Sequence, residues 1–139
     1  MSNNIFYCAM DEDEAEIVSN FLEDLTNISV YEIYDEDSAL KQAKKKALEL
    51  AWATSKDFLR SHIKFHVSER LMKEIVTLQC TFAEEINDLI LSLISDTDKF
   101  AHDMVITDGI EHFLSDDNTE HTVSVKDRIF YCYRVETAH

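Results

Sequence analysis

The chain contains a single glycine and no proline among its 139 residues. Glycine supplies the backbone conformations of tight turns and phosphate-binding loops, so this scarcity excludes a P-loop and a dinucleotide-binding fingerprint. Cysteine is also rare: Cys8, Cys80 and Cys132 are odd in number, scattered, and lack the CxxC spacing of a zinc knuckle. We therefore predict buried free thiols, with neither a disulfide framework nor a cysteine metal site.

Long apolar runs and a basic amino-terminal segment are missing as well. No stretch approaches the roughly 18 uninterrupted apolar residues of a membrane span, and residues 1–4 lack the positive charge of a secretory signal. We expect a cytoplasmic protein that does not bind membranes. With 139 residues, 45% of them hydrophobic, the chain is predicted to form a single acidic globular domain over residues 1–139.

Basic residues are scarce and unevenly placed. The chain has 28 acidic and 13 basic residues, a net charge of −15, and residues 1–40 hold eleven acids without any lysine or arginine. Residues 41–73 reverse the sign with nine bases against three acids, and residues 74–120 return to twelve acids against Lys99. A chain this acidic repels a phosphate backbone, so direct nucleic-acid binding is disfavoured.

The strongest pattern in the sequence is a helical one over residues 68–96. Apolar side chains recur there every three or four positions, which predicts one long core helix that begins after Ser68. Residues 86–94 are apolar almost all round, so we expect either the sheet or a second copy of the chain to cover them. The predicted inner row comprises Leu71, Ile75, Leu78, Phe82, Ile86, Leu89 and Leu93.

The remaining elements predict an α+β fold. Strands over residues 4–9 and 28–34 flank a helix over residues 11–26, which is typical of a βαβ unit, with the first strand expected to be central. A second long helix opens at residues 35–38 and extends to Phe58, and residues 61–67 fit either a strand or a helix. Strands over residues 121–126 and 128–136 form a predicted hairpin. The predicted fold is a small mixed sheet packed against two long helices, with more helix than strand.

Two acidic clusters stand at predicted helix starts. Negative charge in a first helical turn is stabilising by about 0.3–1 kcal/mol per group, so capping explains part of each cluster. Consecutive acids also repel one another, and capping does not account for that cost. We therefore predict that the clusters bind a basic partner through Asp11, Glu12, Asp13, Glu14, Glu16, Asp35, Glu36 and Asp37.

The candidate catalytic and metal-binding residues occur without the further ligands or catalytic partners that such sites require. His62 and His66 are four positions apart without a third ligand at a recognisable spacing. The dipeptide His102-Asp103 resembles the metal-binding dipeptide of HD-type phosphohydrolases, yet the other ligands of that pattern cannot be placed. Carboxylates on the long helix lack the Glu-x-x-His pairs of a di-metal bundle. No catalytic residue, metal or cofactor is predicted.

Three functions are compatible with these features. The first is an acidic, non-enzymatic inhibitor of immunity or phage-antagonist type, whose carboxylates occupy a basic protein surface such as the nucleic-acid site of a nuclease, toxin or bacterial defence complex. The second is a small enzyme or ligand-binding domain with a histidine and carboxylate site. The third is an acidic housekeeping domain whose charge serves solubility.

Overall fold

The computed structural model describes residues 4–25 and 30–135. The described residues contain four strands, seven α-helices and two 3-10 turns. No helix among them is long and apolar enough to cross a membrane. In chain order the elements are β1 (Ile5–Phe6), α1 (Glu12–Leu25), β2 (Val30–Tyr34), α2 (Glu36–Glu49), a 3-10 turn (Ala51–Ala53), α3 (Lys56–His62), α4 (Glu69–Phe82), a 3-10 turn (Ala83–Ile86), α5 (Asn87–Leu93), α6 (Thr97–Asp108), α7 (Ile110–Leu114), β3 (His121–Val125) and β4 (Arg128–Val135).

The chain divides into two compact units. The sheet unit comprises Met1–Ala43 and Asp108–His139, and the helical unit comprises Lys44–Thr107. The expectation of a single domain over residues 1–139 stays a prediction. The α+β fold class is confirmed, since 62% of the described residues are helical and 17% are extended, which also confirms the predicted excess of helix over strand.

The sheet has four strands in the order β1-β2-β4-β3. β1 runs parallel to β2, and β4 runs antiparallel to both β2 and β3, so the predicted parallel pair and C-terminal hairpin are confirmed. The prediction of a central first strand is wrong. β1 is a two-residue edge strand because β4 pairs along the whole of β2 on its other side. The predicted strand positions 28, 29 and 136 lie outside the described residues.

The sheet unit has its core between α1 and one face of the sheet. Alternation puts Phe130 and Cys132 of β4 on the covered face, while Ile129 is exposed. One face of β4 is therefore covered by the core, and the other is partly exposed to solvent. The buried cluster comprises Val18, Leu22, Tyr31, Ile33, Val123, Val125, Phe130 and Cys132.

In the helical unit both predicted long helices are interrupted, which corrects the sequence prediction. α2 ends at Glu49, and the helix expected over residues 68–96 breaks at Ala83, whose φ is +49°. The Asn87 side chain explains the second break: its amide donates to the Leu48 carbonyl at 2.8 Å and accepts from the Trp52 N–H at 3.0 Å. A continuous helix would not satisfy these partly buried backbone groups, and leaving such groups unpaired is costly.

Residues 61–67 contain the expected break, and Ser68 caps α4 by accepting a hydrogen bond from the Leu71 N–H. The predicted inner row of this helix is only partly buried. Its buried side chains are Met72, Ile75 and Gln79, whereas Leu71, Leu78 and Phe82 are exposed. The helix is therefore rotated relative to the prediction, because Gln79 points inward to donate to the Trp52 and Thr54 carbonyls.

Candidate functional site

The first acidic cluster forms the N-terminus of α1. The Glu14 N–H donates to Asp11 Oδ1 at 2.8 Å, and the Asp11 N–H donates to Glu14 Oε1 at 3.1 Å. This is a reciprocal capping box. The hydrogen bond from the Glu14 backbone holds the pKa of Asp11 below its ordinary value. Two of the predicted binding residues therefore stabilise the helix start.

The second acidic cluster starts α2 in the same way. The Ser38 N–H donates to Asp35 Oδ1 at 2.8 Å, and the Asp35 N–H donates to Ser38 Oγ at 3.0 Å. Hydrogen bonding to the side chain and backbone of Ser38 holds the pKa of Asp35 below its ordinary value. Asp35 is thus a capping residue, while its neighbours Glu36 and Asp37 are exposed.

The hairpin between β3 and β4 brings the two clusters together. Lys126 lies in its turn and Arg128 is the first residue of β4, and Lys126 Nζ lies 3.4 Å from Asp11 Oδ2. The Arg128 guanidinium lies 3.3 Å from Glu14 Oε1 and 3.9 Å from Asp35 Oδ2. One arginine therefore contacts the capping residues of both helices, so the starts of α1 and α2 lie on the same part of the sheet unit.

Arg128 is itself held by an aromatic ring. Its guanidinium carbon lies 4.7 Å from the ring centroid of Phe130, which is two residues further along β4 and shares its face. Phe130 is fully buried, whereas the Arg128 side chain is 40% exposed. The arginine thus covers the edge of the core and still reaches the surface.

An open pocket of about 330 Å³ lies beside this arginine. Carboxylates from the start of α2 and from the hairpin turn form much of its lining, and Arg128 is the only basic residue among the described residues that line it. The remaining lining is supplied by two side chains of β4. The full set comprises Asp35, Glu36, Asp37, Asp127, Arg128, Ile129 and Tyr131.

We call this region the Arg128 surface. We define it as the two acidic helix starts together with Lys126 and Asp127 of the hairpin turn and Arg128 at the start of β4. Glu12, Asp13 and Glu16 are exposed, while Glu14 is buried and paired with Arg128. Its members are Asp11, Glu12, Asp13, Glu14, Glu16, Asp35, Glu36, Asp37, Lys126, Asp127 and Arg128.

Sequence reasoning identified the eight acids at the two helix starts and missed Lys126, Asp127 and Arg128. The available signal was the predicted hairpin over residues 121–126 and 128–136, because the residues at its tip, Lys126, Asp127 and Arg128, are all charged. No short-range sequence pattern indicates that the tip of this hairpin lies beside the starts of two helices that are more than eighty residues away in sequence. That proximity depends on strand order.

Other acids of the sheet unit lie elsewhere. Asp116 Oδ1 is 3.2 Å from Arg134 Nε, and Arg134 stands six positions after Arg128 on β4. At about 3.3 Å per residue, six positions correspond to roughly 20 Å along a strand. The acidic loop over residues 115–120 is therefore at the opposite end of β4 from the Arg128 surface, and the acids of this unit do not all converge.

The fold separates the two histidines that are four positions apart in sequence, and it places one of them beside an aspartate instead. α3 ends at His62, so His62 and His66 do not share a helical face, and His66 is exposed. His62 Nε2 instead lies 3.3 Å from Asp103 Oδ2, and its ring contacts Phe58 and Phe100. Within residues 4–25 and 30–135, no group of three or more histidine, cysteine or acidic residues is placed to hold a metal ion.

The cysteines are free, as predicted, but differ in burial: Cys132 is buried, Cys8 is partly buried and Cys80 is exposed. The prediction of a buried thiol at position 80 is wrong, because α4 turns that side chain to solvent. Burial raises the pKa of Cys132 to about 12 and is also the main cause of the raised pKa of Cys8. Neither thiol is activated as a nucleophile.

Comparison of the chain with protein-family models, with curated proteins and with solved structures yields no match. The Arg128 surface and the His62–Asp103 pair are therefore the two features of the molecule that bear on its function.

Proposed function

We propose that the protein is an acidic, non-enzymatic inhibitor that uses the Arg128 surface to bind a basic protein surface. The natural target class is a protein that itself binds nucleic acid, such as a nuclease, a toxin or a bacterial defence complex. Such targets present clustered lysines and arginines, and a matching set of carboxylates competes for the same positions. We further propose that the protein acts in the cytoplasm, where these targets meet nucleic acid.

The observation that supports the proposal is the juxtaposition of two acidic helix starts around one arginine. Five exposed carboxylates that make neither capping box stand within the first turns of the same two helices: Glu12, Asp13, Glu16, Glu36 and Asp37. Charges that a helix needs for capping are already supplied by Asp11, Glu14 and Asp35. The five further carboxylates add local repulsion, and a basic partner would relieve it.

Arg128 gives the surface a fixed shape. Because its guanidinium contacts Glu14 and Asp35, the two helix starts are cross-linked by ion pairs before any partner arrives. A preordered set of charges loses less conformational entropy on binding than a flexible acidic tail does. The surface therefore supports specific recognition in addition to long-range attraction.

The alternative proposal is a small enzyme or ligand-binding domain centred on the His62–Asp103 pair. A histidine beside a carboxylate is two-thirds of a nucleophilic triad and can act as a general base. The aromatic contacts of His62 with Phe58 and Phe100 also suit a packed core residue. The inhibitor proposal is the better supported of the two. It depends on a larger set of side chains, and most of them are exposed to a partner.

The proposal is tested by capture from a lysate of the organism that encodes the protein. The surface variant carries Glu12→Lys, Asp13→Lys, Glu16→Lys, Glu36→Lys and Asp37→Lys. A control variant with the same net charge carries Glu23→Lys, Asp24→Lys, Glu49→Lys, Asp57→Lys and Asp108→Lys, all exposed and outside the Arg128 surface.

We expect one basic protein to be retained by the unaltered protein and by the control variant, and to be lost with the surface variant. Its nuclease or nucleic-acid-binding activity should fall when the unaltered protein is added. Equal retention by all three proteins, or loss with both variants, would show that the Arg128 surface is not a specific binding site.

A further inference from the structure

The open pocket beside Arg128, which we call the β4 pocket, combines apolar surface with carboxylates. Ile129 and Tyr131 line it and are two positions apart on β4, so both side chains lie on the same face of the sheet. Tyr131 pairs with Tyr34, and α2 begins two residues after Tyr34. The start of α2 therefore stands beside this apolar wall without covering it, and Ile129 is 50% exposed.

Three of the carboxylates that line the β4 pocket have no ion-pair partner within residues 4–25 and 30–135. These are Glu36, Asp37 and Asp127, and all three are exposed. Asp35 is already used in capping α2, and Arg128 already pairs with both helix starts. The dipole of α2 contributes about half a positive charge at its start, which three full negative charges outweigh. The β4 pocket therefore favours a cation.

The apolar wall decides which kind of cation fits. Metal ions such as Mg²⁺ and Ca²⁺ require several oxygen ligands and gain nothing from contact with hydrocarbon. A long basic side chain buries its methylene groups against apolar surface while its charged end stays among carboxylates. The pocket volume of about 330 Å³ is near the lower end of the range of roughly 300–1,000 Å³ that ligand pockets have. Such a volume suits one extended side chain.

The lining matches arginine better than lysine. A guanidinium group is planar and weakly hydrated, stacks on aromatic rings, and donates paired hydrogen bonds to carboxylates. Tyr131 supplies an aromatic ring beside the unpaired carboxylates. The same combination already occurs once nearby, where the Arg128 guanidinium lies over the Phe130 ring and contacts the carboxylates of two helix starts.

We infer that the β4 pocket binds an arginine side chain that the basic partner presents. Its guanidinium lies among Glu36, Asp37 and Asp127, and its methylene groups cover Ile129 and the edge of Tyr131. The existence of the partner rests on the proposed function, and the pocket adds which of the partner's groups is recognised and where. A side chain held in a pocket within a ring of charges is a frequent form of interface hot spot.

Amide NMR of the full chain tests the pocket without the partner. The probe is the capped peptide acetyl-Gly-Arg-Gly-amide, and two matched peptides carry lysine or citrulline, the uncharged isostere of arginine, in place of arginine. We expect saturable shifts at residues 36–37 and 127–131 with a dissociation constant on the order of 1–10 mM. The lysine peptide should bind roughly threefold or more weakly, and the citrulline peptide should not reach saturation.

Two triple variants of equal net charge separate the pocket from general charge attraction. The pocket variant replaces three lining carboxylates by amides: Glu36→Gln, Asp37→Asn and Asp127→Asn. The control variant replaces three exposed carboxylates of the sheet unit that do not line the pocket: Glu23→Gln, Asp24→Asn and Asp108→Asn. The pocket variant should weaken binding of the arginine peptide by roughly tenfold or more, and the control variant should bind like the unaltered protein.

A single substitution tests the apolar wall without a change in charge. Ile129→Ser should weaken binding of the arginine peptide by roughly threefold, because the methylene groups lose their apolar contact. Ile17→Ser is the matched control, since Ile17 lies on α1 outside the pocket and is 47% exposed. It should leave binding unchanged. Shifts far from each substitution should stay those of the unaltered protein, which shows that the fold is intact.

Three results would overturn the inference: no saturable binding of the arginine peptide, equal binding of the arginine and lysine peptides, or full binding by the pocket variant. The probes contain no partner protein, so a failure here contradicts only the arginine pocket. Failure to capture any basic protein from the lysate would instead contradict the proposed function.

Discussion

Arg128 Nη1 lies 3.3 Å from Glu14 Oε1, and the Glu14 side chain is only 7% exposed. The same carboxylate accepts the Asp11 N–H, so Glu14 serves both an ion pair and a capping box. Glu14→Ala removes both interactions, and we expect it to lower the free energy of unfolding by about 2 kcal/mol. Glu14→Gln keeps the cap and should cost about half as much.

Urea unfolding of the two Glu14 variants checks this prediction. Glu16→Ala is the matched control, because Glu16 is exposed and lies two positions later in the same helix. It should change the free energy of unfolding by no more than about 0.5 kcal/mol. If Glu14→Ala and Glu16→Ala had equal effects, Arg128 would not be fixing the start of α1.

Asn87 holds two backbone groups at the junction that follows α2. Asn87→Leu would leave the Trp52 N–H and the Leu48 carbonyl without these partners, and we expect a loss of about 2–3 kcal/mol in the free energy of unfolding. Asn87→Asp keeps the oxygen that accepts from the Trp52 N–H. It replaces the donor amide group with a second oxygen, which repels the Leu48 carbonyl. Its destabilisation should therefore shrink when the new carboxylate is protonated at low pH.

Thermal or urea unfolding of these variants at pH 7 and near pH 4 would measure both effects. Asp88→Asn, at the adjacent exposed position, is the control. A continuous helix through Ala83 in solution would make Asn87→Leu nearly neutral, which is the result that would contradict the broken-helix description.

Acid should weaken the fold partly through Asp35. Hydrogen bonding to Ser38 lowers its pKa in the folded protein below the ordinary value. A carboxyl with a lowered folded pKa contributes stability above its unfolded pKa, about 3.9, and that contribution is lost as pH falls through the folded pKa. The penalty of Asp35→Asn should therefore be largest near pH 7 and approach zero at strongly acidic pH.

Urea unfolding at a series of pH values would show this trend. Asp37→Asn is the matched control, since Asp37 is exposed and lies two positions later, inside α2. A penalty for Asp35→Asn that is the same at every pH would mean that the charge of Asp35 does not contribute to stability.

Binding of the basic partner should depend on charge mainly through its association rate. We expect the surface variant to slow association at low salt by roughly tenfold or more, with a smaller effect on dissociation, because exposed charges steer encounter. The control variant with the same net charge should be affected much less. Association of the unaltered protein should also slow as salt rises, since the Debye length shortens to about 3 Å near 1 M.

Surface plasmon resonance across a salt series would separate the two rates. An association rate that changes neither with salt concentration nor with the five charge reversals would show that the charge serves solubility. Recognition would then lie on another surface.

Thiol reactivity should follow burial. Cys80 is exposed, whereas burial raises the pKa of Cys132 to about 12. Iodoacetamide at pH 8 should modify Cys80 first, and Cys132 on the order of 100-fold more slowly. Peptide mass spectrometry would read out the sites, and unfolding in urea should make all three thiols reactive. Rapid modification of Cys132 in the native protein would contradict its burial in the sheet core.

Short-range sequence patterns are sufficient to predict the local features of this protein. Asp11, Asp35 and Ser68 precede apolar periodic segments, and each starts a helix as that pattern predicts. Strand alternation similarly predicted the parallel pair and the C-terminal hairpin. These features depend on contacts between residues a few positions apart, or on a spacing of apolar residues that is visible within a short stretch of sequence.

Which of these local features come into contact depends on strand order and on long-range packing. The position of β4 between β2 and β3 carries Arg128 to both helix starts and leaves β1 at the edge. The amide of Asn87 breaks a helix that periodicity favours, because it satisfies backbone groups 35 and 39 positions away in sequence. The same packing turns Gln79 inward and leaves Leu71, Leu78 and Phe82 exposed, since hydrogen bonding of buried groups outweighs the placement of apolar side chains at this junction.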